Sequence, residues 1–562
     1  MAGHHSLGVH IGHDRGAALV SDGELIAQIA EERLDRRKHS NSPDLPLKSI
    51  KAVLDIGGIH PADLGIVGIS YTNVEIDRVI DLLRDELRDV LDTPHLDVLG
   101  IDHHDCHAWS AYWTSDVDAA LIVVADGSGD IIGHRVEAES VYSASGDVIE
   151  LIDRRLQDFG LARITRRNSF VLPYMNEVDR NKEISLGLKY EQFTYLSGFG
   201  QREGGKTMGL SAYGMPLIEP HIPAIKDLQF SLSFEDGLID IDQIWKKSGE
   251  SWHRFIKERA ADIAATGQQL LEGYMTALLN ALNPSGSHQA LCAAGGVFLN
   301  CQMNGRILAA TKFQKVHVIP AAGDDGLCVG AAFYTYARAF GAPTRRSDPL
   351  PFLGQSYDNA SIQKWLDYFG LRAERLEDSQ LVERMAEDLI EGRVVGLSRG
   401  RSEVGPRALC HRSILADPRV ATMKDRLNRL KGRELFRPFA PVVTQEDQLK
   451  FFELEQASPY MLFATRLRPQ FQAELPAIVH VDGSSRIQAV TERKEPFVHA
   501  LLRSFEVRTG YPMLLNTSFN LAGDPIVESP YDAMVTYLTS EIDVLVVENF
   551  YIDQKVRLRL DP

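Results

Sequence analysis

Four residues in the first half of the chain have types and spacings suited to metal binding. His103 and His107 in DHHDCHAWSAYW are four residues apart, so on a helix both imidazoles share one face. Asp126 ends the apolar run LIVVAD, and Asp324 stands in the turn AAGDDG after the apolar run VHVIPA. Carboxylates that follow strands commonly face a cleft. Two imidazoles and two carboxylates suit Fe(II), Mn(II) or Zn(II) and leave positions for a phosphate or hydroxyl.

The same residues have a plainer interpretation that the spacing leaves open. An isolated H-x-x-x-H pair is equally consistent with one core histidine and one surface histidine. Asp325 competes with Asp324 for the ligand role, because adjacent residues on an extended backbone point in opposite directions. The metal's identity does not follow from the ligand types.

Two glycine-rich stretches are candidates for nucleotide contact. CAAGGVFLNCQMNG places Gly295 and Gly296 after a short apolar strand and before an expected helix. Glycine lets a backbone approach a nucleotide, and a helix N-terminus favours a phosphate. EGGKTMGLSAYG offers Lys206 in a similar setting. Both stretches are also consistent with ordinary turns or flexible connections.

The second half contains a dense group of cations in RGRSEVGPRALCHRSILADPR and KGRELFRPFAPVV. Guanidinium and ammonium groups suit small phosphates and carboxylates. A solvated basic face is the usual alternative, but interleaved glycine and proline fix the backbone and favour an anion pocket. HVDGSSRIQAV adds Arg486, and LLNTSFNLAGDP presents Asn516, Ser518 and Asn520 on a turn, where they also suit turn capping.

The elements that position these residues are typical of an α/β protein. Residues 8–20 form strands ahead of an acidic turn, and 119–137 repeat this pattern, which predicts a duplicated core. Apolar spacing near 3.6 predicts crossover helices at 47–56 and 75–92. A stretch rich in Pro, Gly, Ser and Asp at 341–358 predicts a boundary between domains 1–349 and 350–562.

Composition narrows the functional classes. The chain has 562 residues, which favours two or more domains, and a formal net charge of −17, which disfavours a nucleic-acid substrate. Its five cysteines show no C-x-x-C pair, which indicates reduced thiols in a cytoplasmic protein. The sequence shows no export signal and no apolar run long enough to span a membrane.

The ordered motifs together resemble the NodU/CmcH family of carbamoyltransferases over essentially the full chain. The motifs that carry the resemblance are HDRGAALVSDG, AEERLDRRKH, DHHDCHAWSAY, SLGLKYEQFTYLSGF, GGKTMGLSAYG, AGGVFLNCQMNG, AAGDDG, RSEVGPRALCHRSILADPR, RELFRPFAPVV, HVDGSSRIQAV and LLNTSFN. The resemblance implies a Kae1-like domain of the actin and sugar-kinase (ASKHA) class fused to a YrdC-like α/β domain. It also favours a homodimer.

The resemblance implies a two-step reaction. The YrdC-like domain would make carbamoyl adenylate from carbamoyl phosphate and ATP with Mg, and the Kae1-like domain would pass the carbamoyl group to a hydroxyl of a small-molecule natural product, as in antibiotic biosynthesis. The residues expected around carbamoyl phosphate and ATP are Arg407, Lys431, Arg486 and Ser518. An Fe(II) site that binds the adenylate's phosphate would use His103, His107, Asp126 and Asp324. Adenylate contacts would come from Lys206, Gly295, Gly296 and Asn300, and His13, as base, and Lys38 would lie near the transferred group.

The sequence departs from the family pattern at two places. Asp105 and Cys106 stand inside HHDCH where small or apolar residues are expected, and a thiol beside the metal could alter its redox behaviour. Residues 157–171 match no family segment and could contribute to acceptor recognition, so the acceptor stays open.

Two other functions compete with this interpretation. One is tRNA threonylcarbamoyl transfer, which uses the same two domain types as separate proteins but is disfavoured by the fusion and the negative charge. The other is a non-catalytic, nucleotide-binding regulator of actin-like fold, which leaves the arginine-rich region without a purpose. A hydrogenase-maturation enzyme is disfavoured because the chain lacks the C-x-x-C zinc modules and the acylphosphatase domain of that family.

Overall fold

A computed structural model describes residues 3–158, 183–219, 222–232, 238–344 and 351–554. The chain forms two compact units. The first comprises Met1–Ile26, Asn41–Ile50 and Gly57–Pro349, and the second comprises Ala27–Ser40, Lys51–Ile56 and Leu350–Pro562. The sequence analysis assigned all of 1–349 to the first domain, whereas two short N-terminal segments group with the second unit. Most of the segment 157–171 lies outside the described residues.

The first unit contains two sheets with the same strand order, and the unit division crosses one strand of the first sheet, Glu24–Ala30. The first sheet and its short companion pair use β1 (His5–His10), β2 (Gly12–His13), β3 (Gly16–Ser21), β4 (Glu24–Ala30), β5 (Asn41–Ser42), β6 (Ile66–Ser70) and β7 (Asp97–Gly100). Its order is β4-β3-β1-β6-β7, and β2 pairs with β5. Strand β1 runs antiparallel to β3 and parallel to β6.

The second sheet repeats this arrangement. Its strands are β8 (Ala119–Ala125), β9 (Ile131–Ile132), β10 (Arg135–Ser145), β11 (Val148–Asp158), β12 (Ala290–Ala294) and β13 (Lys315–Val318). The order is β11-β10-β8-β12-β13, with β9 beside β10. Strand β8 runs antiparallel to β10 and parallel to β12. The duplicated core expected from the two sequence stretches is therefore present.

Helices of the first unit follow the apolar periodicity of the sequence. They are Leu47–Gly57, which the unit division crosses, Ile76–Leu91, His103–Trp113, Leu186–Leu196, Gly204–Ser211, Leu238–Ser248, Trp252–Glu258, Ala260–Leu282, Cys301–Ala310 and Leu327–Phe340. The two crossover helices are confirmed. Leu327–Phe340 packs on β1, β3 and β6 and against His103–Trp113. The two helices approach closely at Gly330, where a Cβ atom would lie 1.7 Å from the carbonyl oxygen of Cys106.

The second unit is built around one eight-stranded mixed sheet. Its strands are β14 (Glu374–Arg375), β15 (Val395–Ser398), β16 (Arg412–Ala416), β17 (Ala440–Thr444), β18 (Ala464–Arg466), β19 (Ser484–Arg486), β20 (Gln488–Val490), β21 (Met513–Ser518), β22 (Val544–Val547) and β23 (Phe550–Ile552). The order is β14-β23-β22-β15-β16-β21-β17-β20, and β18 pairs separately with β19. The α/β class is thus confirmed in both units.

Two helices cover the core of this sheet. The helices of the unit are Glu31–Asp35, Asn359–Phe369, Asp378–Ile390, Met423–Leu430, Gln448–Phe451, Pro469–Gln472, Pro496–Thr509 and Pro530–Thr539. Asp378–Ile390 and Pro496–Thr509 bury Leu389 and Leu501 against Leu514 and Val546 of the sheet. Across the described part of the chain, no helix combines the length and apolar character needed to cross a membrane.

Candidate metal centre and cation cluster

The first unit brings the four predicted metal ligands together. His103 and His107 lie on one helix, Asp126 directly follows β8, and Asp324 opens the turn Asp324–Gly326. One donor atom from each residue lies within 4.8 Å of the others. His103 Nε2 is 3.3 Å from Asp126 Oδ2, and His107 Nε2 is 3.8 Å from Asp324 Oδ1. Donors bound at about 2.0–2.2 Å to one tetrahedral or octahedral ion lie about 3–3.6 Å apart or, across an octahedron, farther. The spacing therefore fits one cation.

Burial supports the same interpretation. All four side chains are buried, and neither ring nitrogen of His107 has a hydrogen-bond partner among the described residues. A buried polar atom that lacks a partner costs about 1–3 kcal/mol. A cation would satisfy such a nitrogen. Asp325, the alternative ligand, is only half-buried and is not part of this group.

Without an ion, the charges of the four residues partly offset one another. Burial lowers the pKa of His103, but the charges of Asp324 and Asp126 outweigh burial and raise that pKa to about 10. Burial raises the pKa of Asp126, but the nearby imidazoles of His103 and His107 hold it well below its usual value. The metal-free centre therefore carries a proton on His103, which a metal ion must displace.

An ionic network fixes the helix that carries the histidines. Asp102 caps His103–Trp113 by accepting from Asp105 N at 3.0 Å, and Arg154 of β11 donates to both Asp102 oxygens at 3.1 Å. Arg154 also pairs with buried Glu137 of β10 at 2.8 Å. Sequence reasoning missed Arg154, since no local pattern connects it with a helix about fifty residues earlier.

The two unexpected residues of the HHDCH motif are not part of the ligand group. Asp105 accepts a hydrogen bond from Tyr142 Oη at 2.8 Å. Cys106 is buried in an apolar cluster with Ile101, Leu327 and Ala331. Burial raises the pKa of the Cys106 thiol well above its usual value, so the thiol stays protonated.

Other polar side chains surround Asp324. His13 Nε2 lies 3.0 Å from Asp324 Oδ2, so the predicted base is beside the metal centre. Thr72 Oγ1 donates to the same oxygen at 3.0 Å, and His10 Nε2 lies 4.0 Å from it. Burial lowers the pKa of His10 to about 3, so this ring is neutral. Sequence reasoning missed His10 and Thr72, although their positions at the ends of β1 and β6 were a usable signal.

The residues predicted to contact the adenylate differ in their structural surroundings. Gly295 has φ +98°, and a Cβ atom there would lie 2.2 Å from Ala125 O. Gly296 N donates to Asp126 Oδ1 at 3.0 Å, so this turn positions a candidate ligand. Asn300 caps Cys301–Ala310 by accepting from Met303 N at 3.0 Å.

Two of these side chains have further partners. Asn300 Nδ2 donates to Gln268 Oε1 at 2.8 Å. Lys206 lies on Gly204–Ser211 and pairs with Glu203 at 2.6 Å. Their role in adenylate binding stays a prediction.

The second unit gathers cations around the end of β21. Lys431 Nζ donates to Ser518 Oγ at 3.2 Å and to Asn520 Oδ1 at 2.9 Å. Burial, followed by the charges of Arg433 and Arg437, holds the pKa of Lys431 well below its usual value. Burial and the charges of Arg437 and Arg486 likewise hold the pKa of Arg433 well below its usual value. We call Lys431, Arg433, Arg437 and Arg486 the cation cluster.

Arg407 and Lys38, the other residues predicted to act on the substrates, are linked to the cation cluster through neighbouring groups. Arg407 precedes Ala408, whose carbonyl accepts a hydrogen bond from Asn516 Nδ2 at 3.2 Å. Asn516 lies on β21, two residues before Ser518. Lys38 belongs to the Ala27–Ser40 segment of the second unit, and its charge contributes to the lowered pKa of Lys431. The sequence analysis had expected Lys38 in the first domain.

These features define a two-unit α/β protein with a buried histidine–carboxylate group in one unit and a cation cluster around the buried Lys431 in the other. Comparison with known families matches the carbamoyltransferase N-terminus at residues 71–333 and the carbamoyltransferase C-terminus at 386–554. The nodulation protein NolNO of Sinorhizobium fredii is 34% identical over 97% of this chain and 79% of its own length. The 3'-hydroxymethylcephem-O-carbamoyltransferase of Amycolatopsis lactamdurans is 27% identical over 96% of this chain and 98% of its own.

A solved structure with a more distant likeness is full-length HypF in its phosphate- and nucleotide-bound form. It is 15% identical, with a TM-score of 0.40 over 60% of this chain and 56% of its own. The sequence comparisons decide the assignment: the chain belongs to the carbamoyltransferase family. The prediction of a NodU/CmcH-type carbamoyltransferase is thereby confirmed.

Proposed function

We propose that this protein is an ATP-dependent O-carbamoyltransferase that works in two half-reactions, one in each unit. The second unit, as a YrdC-like domain, forms carbamoyl adenylate from carbamoyl phosphate and ATP. The first unit, as a Kae1-like domain of the actin and sugar-kinase class, transfers the carbamoyl group to a hydroxyl of a small-molecule natural product. The observation that carries the proposal is the pair of clusters, a cation cluster around buried Lys431 and a buried histidine–carboxylate group, which suit an anion and a cation respectively.

The cation cluster supplies the charge that the first half-reaction needs. Water first cleaves carbamoyl phosphate into carbamate and inorganic phosphate. A carbamate oxygen then attacks the α-phosphorus of ATP, which forms carbamoyl adenylate and releases pyrophosphate. Both partners are anions and repel each other, so fixed positive charge lowers the barrier. Lys431, Arg486 and Arg407 would hold these phosphates, and the Ser518 hydroxyl would orient one oxygen.

The histidine–carboxylate group suits the second half-reaction. A divalent cation, with Fe(II) our preferred ion, would attract the adenylate's phosphate oxygen and offset the charge of Asp126 and Asp324. Burial lowers the pKa of His13, but Asp324 outweighs burial and raises it; offsetting that carboxylate charge frees the ring to act as a base. His13 would then accept the proton of the acceptor hydroxyl as its oxygen attacks the carbamoyl carbon and AMP leaves.

Because the proposal assigns each half-reaction to one unit, the two half-reactions can be tested separately. Carbamoyl-phosphate-dependent exchange of labelled pyrophosphate into ATP reports the first half-reaction. Arg407→Ala should abolish this exchange, whereas His107→Ala should retain exchange and lose carbamoylation of an alcohol. Arg429→Ala, at a largely exposed position near Lys431 (69% side-chain exposure), is the control and should keep both.

The outcomes that contradict the proposal are specific. No exchange in metal-loaded wild-type protein refutes the first half-reaction, and equal loss of both steps in the two variants refutes the division between units. Threonine-dependent pyrophosphate release from ATP and bicarbonate would instead favour tRNA modification. A panel of hydroxylated metabolites, screened for a mass gain of one carbamoyl group, identifies the acceptor.

A further inference from the structure

The Ala27–Ser40 segment contains the sequence motif AEERLDRRKH, which the proposed chemistry of the first unit does not use. This segment groups with the second unit, more than three hundred residues away in sequence. Its contacts there are made by buried or half-buried arginines with backbone carbonyl groups. Arginine forks that hold two carbonyls fix the relative position of loops that have no regular pairing.

Arg33 fixes the loop that leads to Arg407. The side chain is 4% exposed, and its Nη2 donates to Gly405 O at 3.1 Å. Gly405 has φ +83°, a conformation that glycine adopts at no steric cost. The donor therefore holds an irregular turn two residues before a predicted phosphate ligand.

Arg36 holds the loop that follows Asn520. Its Nη1 and Nη2 donate to Ile526 O at 2.6 Å and Pro525 O at 3.0 Å, and its Nε lies 3.4 Å from Asp532 Oδ1. The carbonyls directly follow the turn in which Asn520 Nδ2 donates to Asp524 O at 2.6 Å. Asn520 is also a partner of Lys431.

The part of the Ala27–Ser40 segment that carries Lys38 has a constrained backbone. Arg36 and His39 have positive φ of 62° and 54°, which is uncommon for residues other than glycine and persists where surrounding contacts impose it. His39 N donates to Glu32 Oε2 at 2.7 Å, and Ser40 Oγ donates to Asp35 Oδ2 at 2.6 Å. Lys38 therefore stands on a constrained turn two residues from the Arg36 anchor.

We infer that the Ala27–Ser40 segment is part of the adenylate-forming site: Arg33 and Arg36 are positioning residues for its two phosphate loops, and Lys38 adds positive charge to the cation cluster. This inference rests on the proposed function. The sequence analysis placed Lys38 beside the transferred carbamoyl group, and the segment's contacts instead assign it to the first half-reaction. The first half-reaction thus depends on residues from the N-terminal end of the chain.

Lys38 gives the cleanest test because it is exposed, so its replacement cannot unfold a core. In the full-length, metal-loaded protein, Lys38→Gln should raise the KM for carbamoyl phosphate in pyrophosphate exchange about three- to fivefold, the size expected for a solvent-screened charge contact. Added salt should raise the KM of the wild-type protein and reduce the difference in KM between wild type and Lys38→Gln. Arg37→Gln removes a neighbouring exposed charge and should stay within about twofold of wild type.

Arg36 tests the positioning role. Arg36→Gln should lower exchange by about 10²-fold, as misplacement of reacting groups by about 1 Å does, and Arg36→Lys should recover part of that loss. The metal affinity of the first unit, measured on the same preparations by titration, should stay at the wild-type value, which separates local misplacement from general unfolding.

The proposal and the proposed function fail in different ways. If wild-type protein shows no carbamoyl-phosphate-dependent exchange, the proposed function fails. If wild type exchanges and Lys38→Gln does so with an unchanged KM while losing transfer to an alcohol, this inference is overturned and the role of Lys38 in transfer stands. Unchanged exchange in Arg36→Gln also overturns it.

Discussion

The metal centre and the cation cluster solve the burial of charge in opposite ways. In the metal centre, histidines lie beside carboxylates, and a proton on His103 offsets part of the carboxylate charge. In the cation cluster, burial and then the charges of Arg433 and Arg437 lower the pKa of Lys431, and burial and then the charges of Arg437 and Arg486 lower that of Arg433. The first cluster would therefore have to exchange a proton for a cation, whereas the second would gain electrostatic stabilisation directly if an anion bound there, as we propose.

Removing a carboxylate from the metal centre should have the largest effect. Asp126→Asn removes a ligand and its charge, so the affinity for Fe(II), Mn(II) or Zn(II) should fall by more than about 100-fold, since even partners outside the ligand set contribute about 10–100-fold. Metal titration followed by calorimetry measures this. Asp325→Asn, one residue from Asp324, is the matched control and should bind metal as wild type does; equal losses would show that the ligand set is misassigned.

Loosening the helix that carries the histidines should have a smaller effect. Arg154→Gln removes the bidentate contact to Asp102 and should weaken metal binding by about 10–100-fold. Arg155→Gln breaks another buried pair on the same strand, Arg155 with Glu139 at 2.6 Å, that does not touch Asp102. Both variants lose stability, because each leaves a buried carboxylate unpaired, but only Arg154→Gln should show the metal defect. If both variants lost metal affinity to a similar extent, the loss would come from disruption of the sheet rather than from the helix cap at Asp102.

The two clusters should respond to pH with opposite signs. His103 has a pKa raised to about 10, so metal affinity should increase with pH by about tenfold per unit from pH 6 to 8, as one proton is displaced. Burial lowers the pKa of Lys431 well below its usual value, so its charge is lost at a lower pH than that of an exposed lysine, and anion affinity should fall as pH rises through that pKa. Sulfate is a suitable probe, because its own charge is constant in this range. If metal affinity and sulfate affinity changed with pH in the same direction, the contrast between the two clusters would be wrong.

The smallest expected effect is stabilisation by a bound anion. Pyrophosphate at ten times its Kd should add about 1.4 kcal/mol and raise the melting temperature of the second unit by about 3–6 °C. Lys431→Met should lose this shift, and Arg429→Ala should keep it. Differential scanning calorimetry at constant ionic strength makes the comparison; a shift preserved in Lys431→Met would place the anion elsewhere.

Local patterns made much of the fold predictable. The two strand-turn-strand stretches, the helices at 47–56 and 75–92, and the boundary near 350 depend on periodicity and turn residues that act within a few positions. The spacing of His103 and His107 indicated one helical face in the same way. The strand-end positions of Asp126 and Asp324 indicated a shared edge, and the structure brings all four donors within 4.8 Å of one another.

The sequence by itself therefore determined the elements, the family and the residue types available for a cation and an anion. Only the tertiary structure decided that Asp324 rather than Asp325 joins the group, that Arg154 holds Asp102, and that Lys38 groups with the second unit. These choices depend on side chains that meet across long stretches of sequence, where no local periodicity operates. The direction of a side chain at a turn is fixed by what packs against it, and that is known only once the chain has folded.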